Sequence, residues 1–494
     1  MLKNDSTLQL SIRQSEWLFY ISLIMLSVFV FLFLGESGYV LFDDSFSYMD
    51  FQGNMEGVMP VYPLFLHANR LLFGEDQYLY MVVVEQAALA SACVILFISV
   101  IRKQFGLKYW EAYVCYALAL LPFMTDMPQV MTTHEILTEG IAYALFYLFA
   151  AALMRAVWDK SLKWLGVLYL VTIFLSLIRS QLQILFCVCG SICIYIVVLR
   201  KSGNGKRKLL LRFLCGLAGC VIIALTGVWS IGKLTGAYRQ SKDEAERQRR
   251  QQEAQVQKEI QATKPVITTS QYVSLIFSRG MYEADYEDYL LFEDEQVKNL
   301  YLYLYPYVDE AGCRYSYASP GLWMWKDIVG GIGLVGGVCY PVQSDYYSDN
   351  YPELVYSDRY SSVRNQNQVI IGMTLLRAHF GRFLFHTAMM LPQAFICTVF
   401  FQIEQVYLLC HLVTLFLYLS AFALMIWVYK DKKIPNSYGE LMCAVLGTNF
   451  VMILVISLVF FGQQRYLVYN FGIFYIAYFL LVLQVWRGYK YRKQ

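Results

Sequence analysis

Two adjacent carboxylates, Asp43 and Asp44, stand in the run Phe42-Asp43-Asp44-Ser45-Phe46-Ser47-Tyr48, directly after the first long apolar stretch. Like charges beside an apolar helix end repel each other and lose hydration, which suits one of the pair to act as a general base. The plainer role of Asp43, Asp44 or Ser45 is to cap a short helix. A second acidic group follows between positions 125 and 139, with Asp126, His134, Glu135 and Glu139. Glu139 falls where an apolar run begins, and a carboxylate at a helix N-terminus is favoured by the aligned peptide dipoles. Asp43 or Asp44 with His134 and Glu135 would offer oxygen and nitrogen ligands to a divalent cation, but the spacing selects no particular metal. Arginines stand at two later run ends: Arg179, close to Gln181, and Arg465. At such depth an arginine either reaches up to lipid headgroups or receives a phosphate.

The elements that must position these groups are membrane helices. The chain has 494 residues, 58% hydrophobic and 16% charged, with a mean hydropathy of +0.44. One soluble core could not hide that much apolar surface. Lys plus Arg (40) and Asp plus Glu (37) nearly cancel, so net charge points to neither a nucleic acid nor an acidic substrate. Apolar runs able to cross a hydrocarbon layer of about 30 Å occur at 17–34, 78–101, 110–124, 140–158, 164–178, 182–199, 213–234, 406–429, 441–461 and 466–486. The first is read as an uncleaved span rather than a leader peptide. Basic clusters at Arg102 to Lys108, Arg155 to Lys163, Arg200 to Arg212, Lys430 to Lys433 and Arg487 to Lys493 fall at alternate junctions. About ten spans with both termini cytoplasmic satisfy the rule that Lys and Arg stay inside. Asp43, Asp44, Glu139, Arg179 and Arg465 then share the outer side, where a lipid phosphate would be met.

The expected fold class is an all-α polytopic membrane protein with an extracytoplasmic mixed domain and an interfacial amphipathic helix. Residues 1–235 form an N-terminal transmembrane module and 236–368 the extracytoplasmic domain, whose glycines near 330–337 read as breakers. In 369–402, Val369, Met373, Leu376, Phe380, Phe383 and Thr387 recur at helical spacing, while His379, Arg382 and His386 share another face. This predicts an amphipathic helix lying on the outer leaflet, with an additional span starting near Phe383 as the alternative. Residues 403–494 supply the last spans. Most of the 12 cysteines lie in apolar runs, whereas Cys313 and Cys339 fall in the polar segment and suit either a disulfide or two thiols.

Asp43-Asp44-Ser45 with Tyr48 after the first span, Tyr62-Pro63-Leu64 before the second, Thr138-Glu139, Arg179 and Gln464-Arg465-Tyr466 together resemble the GT-C superfamily of membrane glycosyltransferases. The likeness is strongest to its bacterial mannosyltransferase and aminoarabinose-transferase-like branch. Gln464 stands where that family often carries an acid, and Val468-Tyr469-Asn470 where it carries prolines. The resemblance implies transfer of a sugar from a polyprenyl-phosphate donor to an extracytoplasmic acceptor, with inversion. Asp43 or Asp44 would be the base, and Arg179, Arg465 and Arg382 would hold the donor phosphate. Asp126, His134, Glu135 and Glu139 would position the acceptor or a divalent cation, and Tyr48 and Tyr62 would line the substrate. Rival readings are a transporter or flippase for lipid-linked sugars, an O-antigen-type polymerase or ligase dependent on Arg279 or Arg314, and a noncatalytic scaffold. The transferase reading requires the acids of the first loop and the arginines of later helix ends to meet in one pocket.

Overall fold

The computed structural model describes residues 2–33, 38–49, 59–124, 131–199, 271–321, 323–355, 359–400, 406–431, 435–459 and 464–493, with isolated positions between 219 and 233. Among these, six helices are long and apolar enough to cross a membrane: Gln14–Leu32, Tyr78–Phe105, Thr138–Asp159, Tyr407–Lys430, Ser437–Leu458 and Val468–Tyr489. Two shorter apolar helices, Leu162–Ile178 and Ser180–Ile196, stand beside them. The run at 110–124 folds as an eleven-residue helix, Tyr109–Ala119, and a 3-10 turn, Leu121–Met124. Pro122 lies in that turn, where its missing N–H and fixed φ stop the α-helix. The run at 213–234 lies outside the described residues apart from isolated positions.

In chain order the elements that matter below are α1 (Leu2–Val28), α2 (Asp43–Met49), α3 (Val61–Phe73), α4 (Tyr78–Phe105), α5 (Tyr109–Ala119), α6 (Thr138–Asp159), α7 (Leu162–Ile178) and α8 (Leu185–Leu199). They continue as α9 (Gln271–Tyr282), α10 (Glu295–Glu310), α11 (Met324–Asn350), α12 (Pro352–Val355), α13 (Tyr360–Ala378), α14 (Phe380–Val399), α15 (Tyr407–Lys430), α16 (Ser437–Val459), α17 (Gln464–Leu467) and α18 (Phe471–Lys493). The bundle is outlined by what it exposes. Trp17, Leu18, Ile21 and Met25 of α1, with Leu408, Leu412, Leu415 and Phe416 of α15, are open to the surroundings, an arrangement suited to hydrocarbon. Inside, α6 packs on both α4 and α7, and its Ala142, Ala150, Ala151 and Ala152 are buried. Small side chains let two backbones approach closely where water expulsion cannot drive helices together. Charge pairs tie one end of the bundle: Arg102 lies 3.3 Å from Glu16, and Arg487 of the last helix meets the buried Glu111 of α5.

Buried side chains from Phe277 to Leu375, with Met390 of α14, build a second apolar core. The mixed domain expected there is helical: no strand occurs among the described residues, and a single bridge joins Val40 to Glu135. The glycines read as breakers lie inside α11. Gly331 is there for close approach, since a Cβ on it would stand 2.6 Å from the Tyr282 ring. Likewise α9 crosses α13 at Gly280 and Gly372, where a Cβ on Gly280 would lie 2.6 Å from the other glycine's Cα. Cys313 and Cys339 are buried in this core as free thiols.

The single amphipathic helix expected from Val369 is two helices. The first starts earlier, at Tyr360, and buries Ile371 and Leu375 in the second core. Its final residue is followed by His379, whose φ of −106° and ψ of 30° break the α-helical course before α14 begins. Ala394, Cys397 and Val399 of α14 belong to the apolar bundle core.

Candidate functional site

At the bundle end opposite the Glu111–Arg487 pair, four segments converge: 38–49, 131–139, the α7–α8 junction and the start of the last helix. The first segment is pinned to the second by backbone pairing. Val40 donates to the His134 carbonyl at 2.9 Å and accepts from Ile136 N–H at 3.0 Å. Asp43 opens α2, and the buried Ser45 hydroxyl accepts the Phe42 N–H at 2.9 Å, so the serine closes the turn before the helix. This entry turn aims α2 so that the Tyr48 ring packs edge-on against Tyr62 of α3, centroids 5.4 Å apart.

Beneath them Gln86 of α4 ties three chains together. It accepts from the Tyr62 hydroxyl at 3.1 Å and donates to the carbonyls of Thr133 at 2.8 Å and Glu135 at 3.1 Å. Thr133, His134 and Glu135 are buried, and Thr133 Oγ1 lies 3.3 Å from His134 Nδ1. Burial lowers the His134 imidazole from its ordinary value, which favours the neutral ring.

Glu139 and Arg179 form the centre. Their side chains make an ion pair, 2% and 10% exposed respectively. Thr138 Oγ1 donates to Glu139 Oε2 at 2.9 Å. The Arg179 guanidinium lies over the Tyr466 ring, 5.0 Å from its centroid, with Tyr469 and Tyr48 within its electrostatic reach. Burial, followed by the charge of Glu139, pushes the Tyr48 hydroxyl up to about 12, while Arg179 and a hydrogen bond with Thr138 act the other way. Asp44 belongs to the same electrostatic group. Among the sequence candidates, Asp44, Tyr48, Tyr62, Glu139 and Arg179 thus meet, with His134 and Glu135 in the buried loop alongside. Arg465 is in α17 next to Tyr466; its side chain, that of Asp43 and the whole of Asp126 lie outside the described residues.

Arg382 is elsewhere. It pairs with Asp285 at 3.0 Å and lies 3.8 Å from the Tyr315 ring centroid, within a cluster that also holds Glu283, Asp288, His379 and His386. Its guanidinium is engaged there rather than beside Arg179. Gln86 was not singled out by sequence, where the available signal was an amide inside an apolar run; Thr138 and Tyr469 were noted there only within the compared motifs, without a role of their own. Chemically, the first site offers a guanidinium held in a dry setting, a neutral phenol and carboxylates at its margin, a combination suited to receiving a phosphate ester next to a base. Comparisons with protein-family models, curated proteins and solved structures give no match for this chain.

Proposed function

We propose that the chain is a membrane glycosyltransferase of GT-C type, which moves a sugar from a polyprenyl-phosphate donor to an acceptor outside the cell membrane. In this reading about ten spans place both termini in the cytoplasm, and the 271–375 unit lies outside. The observation that carries the reading is the meeting of α2, with Asp44 and Tyr48, and the Glu139–Arg179 pair at one end of an apolar bundle. A lipid donor would have its tail in the bilayer and its phosphate at that depth, where Arg179 is already fixed by Glu139 and Tyr466. A guanidinium carries five N–H donors, more than one carboxylate can accept, so donors remain for phosphate oxygens.

In the reaction, a carboxylate of Asp43 or Asp44 takes the proton of the acceptor hydroxyl as its oxygen bonds to the anomeric carbon. The bond from that carbon to the phosphate oxygen breaks through an oxocarbenium-like state, and its electron pair leaves with the lipid phosphate. Arg179, with Arg465 beside Tyr466, stabilises the growing phosphate charge. A single displacement inverts the anomeric centre. Glu139 fixes Arg179, and Tyr48, kept neutral, lines the sugar site. A divalent cation, if used, would sit with Asp126, His134, Glu135 or Glu139.

The test is transfer from a synthetic polyprenyl-phosphate sugar by the purified chain in lipid nanodiscs. Asp43→Asn or Asp44→Asn is expected to abolish turnover while leaving thermal stability unchanged, and Arg179→Lys to lower it. Equal turnover by wild type, both single variants and the double variant removes the proposed base. Movement of intact donor across vesicles without bond cleavage would instead make the protein a flippase.

A further inference from the structure

His379 at the junction before α14, and Arg382 and His386 in its first two turns, meet three acids in reverse order. His379 Nε2 lies 2.7 Å from Asp288 Oδ2. Arg382 donates from both terminal nitrogens to Asp285 Oδ2 at 3.0 Å and to the Glu283 carbonyl at 2.7 Å. His386 Nδ1 lies 2.8 Å from Glu283 Oε1, and both residues are buried. Behind this ladder, buried Arg279 donates to Thr387 at 2.9 Å. Atoms of Asp285, Asp288 and His379 fall within 4.8 Å of one another, a spacing a metal ion could use. Both Asp285 oxygens are already engaged, however, one by Tyr315 and the other by Arg382. The guanidinium supplies the positive charge that a cation would bring.

The ladder joins 283–288 to the junction before α14 and its first two turns. The same helix packs against α16, α17 and the 3-10 turn Val468–Asn470, and the Tyr475 hydroxyl of α18 donates to the carbonyl of Val399 at its far end. Tyr466 and Tyr469, which flank Arg179, lie in α17 and in that turn. One helix therefore touches both clusters.

We infer that the ladder is a positioning device: by fixing α14, it sets the Tyr466–Tyr469 wall of the Arg179 site. Glu283, Asp285, Arg382 and His386 are positioning residues for the transfer proposed above, and the inference rests on that reading for its functional meaning. Partly buried pairs suit this task because a misplaced helix leaves charges without partners, so one register is strongly preferred. The constraint is carried along α14, which is continuous from Phe380 to Val399 although Pro392 within it forgoes one backbone hydrogen bond.

The test needs no substrate. Amide hydrogen exchange of the full chain in lipid nanodiscs is followed at 380–399 and at 464–470, in wild type, Arg382→Asp, and the charge swap Asp285→Arg with Arg382→Asp. Arg382→Asp is expected to speed exchange in both segments about tenfold, and the swap to return it to within about twofold of wild type. If Arg382→Asp does not fold, Arg382→Lys, which keeps the charge but loses the fork, is read in the same way. Faster exchange confined to 283–288 and 379–386, with 464–470 unchanged, overturns the inference. A wild-type chain that transfers no sugar removes the proposed function but leaves this exchange result standing.

Discussion

Glu139 opens one apolar helix, Arg179 closes the next, and their side chains form a buried ion pair at the bundle end where α2 and the last helix also arrive. The acid is at a helix N-terminus, where aligned N–H groups favour it, and the arginine is at a helix C-terminus, where carbonyls favour a cation. Each partner is therefore stabilised by its own helix before the pair forms, and the pair locks the ends of α6 and α7 together.

Removing one partner strands the other in a dry site. Glu139→Gln and Arg179→Met are each expected to lose about 3 kcal/mol of stability, whereas Glu139→Leu combined with Arg179→Met loses less than either single change. Thermal unfolding in detergent micelles measures this. Additive losses in the double variant would mean that the two groups do not act as a pair.

The Gln86 amide predicts a second coupling. A Cβ on Gly140 would lie 2.5 Å from Gln86 Oε1, so Gly140→Ala must turn the amide away from Tyr62 and from the Thr133 and Glu135 carbonyls. Stranding buried polar groups costs about 1–3 kcal/mol each. Gly140→Ala is expected to lower the unfolding temperature clearly, but to add little in a Gln86→Ala background, where the obstacle is gone. Equal effects in both backgrounds would show that the glycine answers to something else.

Why some of this was legible in sequence follows from the residues themselves. Charged groups at the ends of apolar runs are conspicuous, and run alternation assigns them to one end, so Asp44, Glu139 and Arg179 could be grouped before any coordinates. The face made by His379, Arg382 and His386 was legible as a spacing, but its partners were not. Glu283, Asp285 and Asp288 are close to it only after α9 crosses α13. Glycine is ambiguous for a physical reason, since a missing side chain serves a bend and a close approach alike. Gly331 serves the second, and so α11 runs through a stretch that looked broken.

Asp285 sets a pH dependence. Burial raises its carboxyl, but hydrogen bonds from Tyr315 and Arg382 outweigh this and hold it below the usual carboxylate value. A carboxyl depressed in the folded state binds fewer protons there than in the unfolded chain. Its stabilisation is therefore complete above the unfolded value of about 3.9 and is lost as pH falls through the folded one. Asp285→Asn should thus be less stable than wild type near neutrality, and the difference should shrink in acid unfolding below about pH 4. A gap independent of pH would mean that the carboxylate's charge is not what the ladder uses.

Adjacent glycines in α11 should respond with opposite signs. Gly330 has open space where a Cβ would be, so Gly330→Ala only narrows the unfolded ensemble and is expected to stabilise by about 0.5–1 kcal/mol. A Cβ on Gly331 would meet the Tyr282 ring at 2.6 Å and the Cys313 carbonyl at 3.1 Å. Tyr282 is itself buried and the carbonyl is backbone, so neither can swing aside as a surface side chain would. Gly331→Ala should force α11 away from α9 and cost about 1–3 kcal/mol. Unfolding midpoints of the two variants decide the matter: a shift of the same sign in both would mean that α11 does not lie against Tyr282, and the second core would have to be assembled differently.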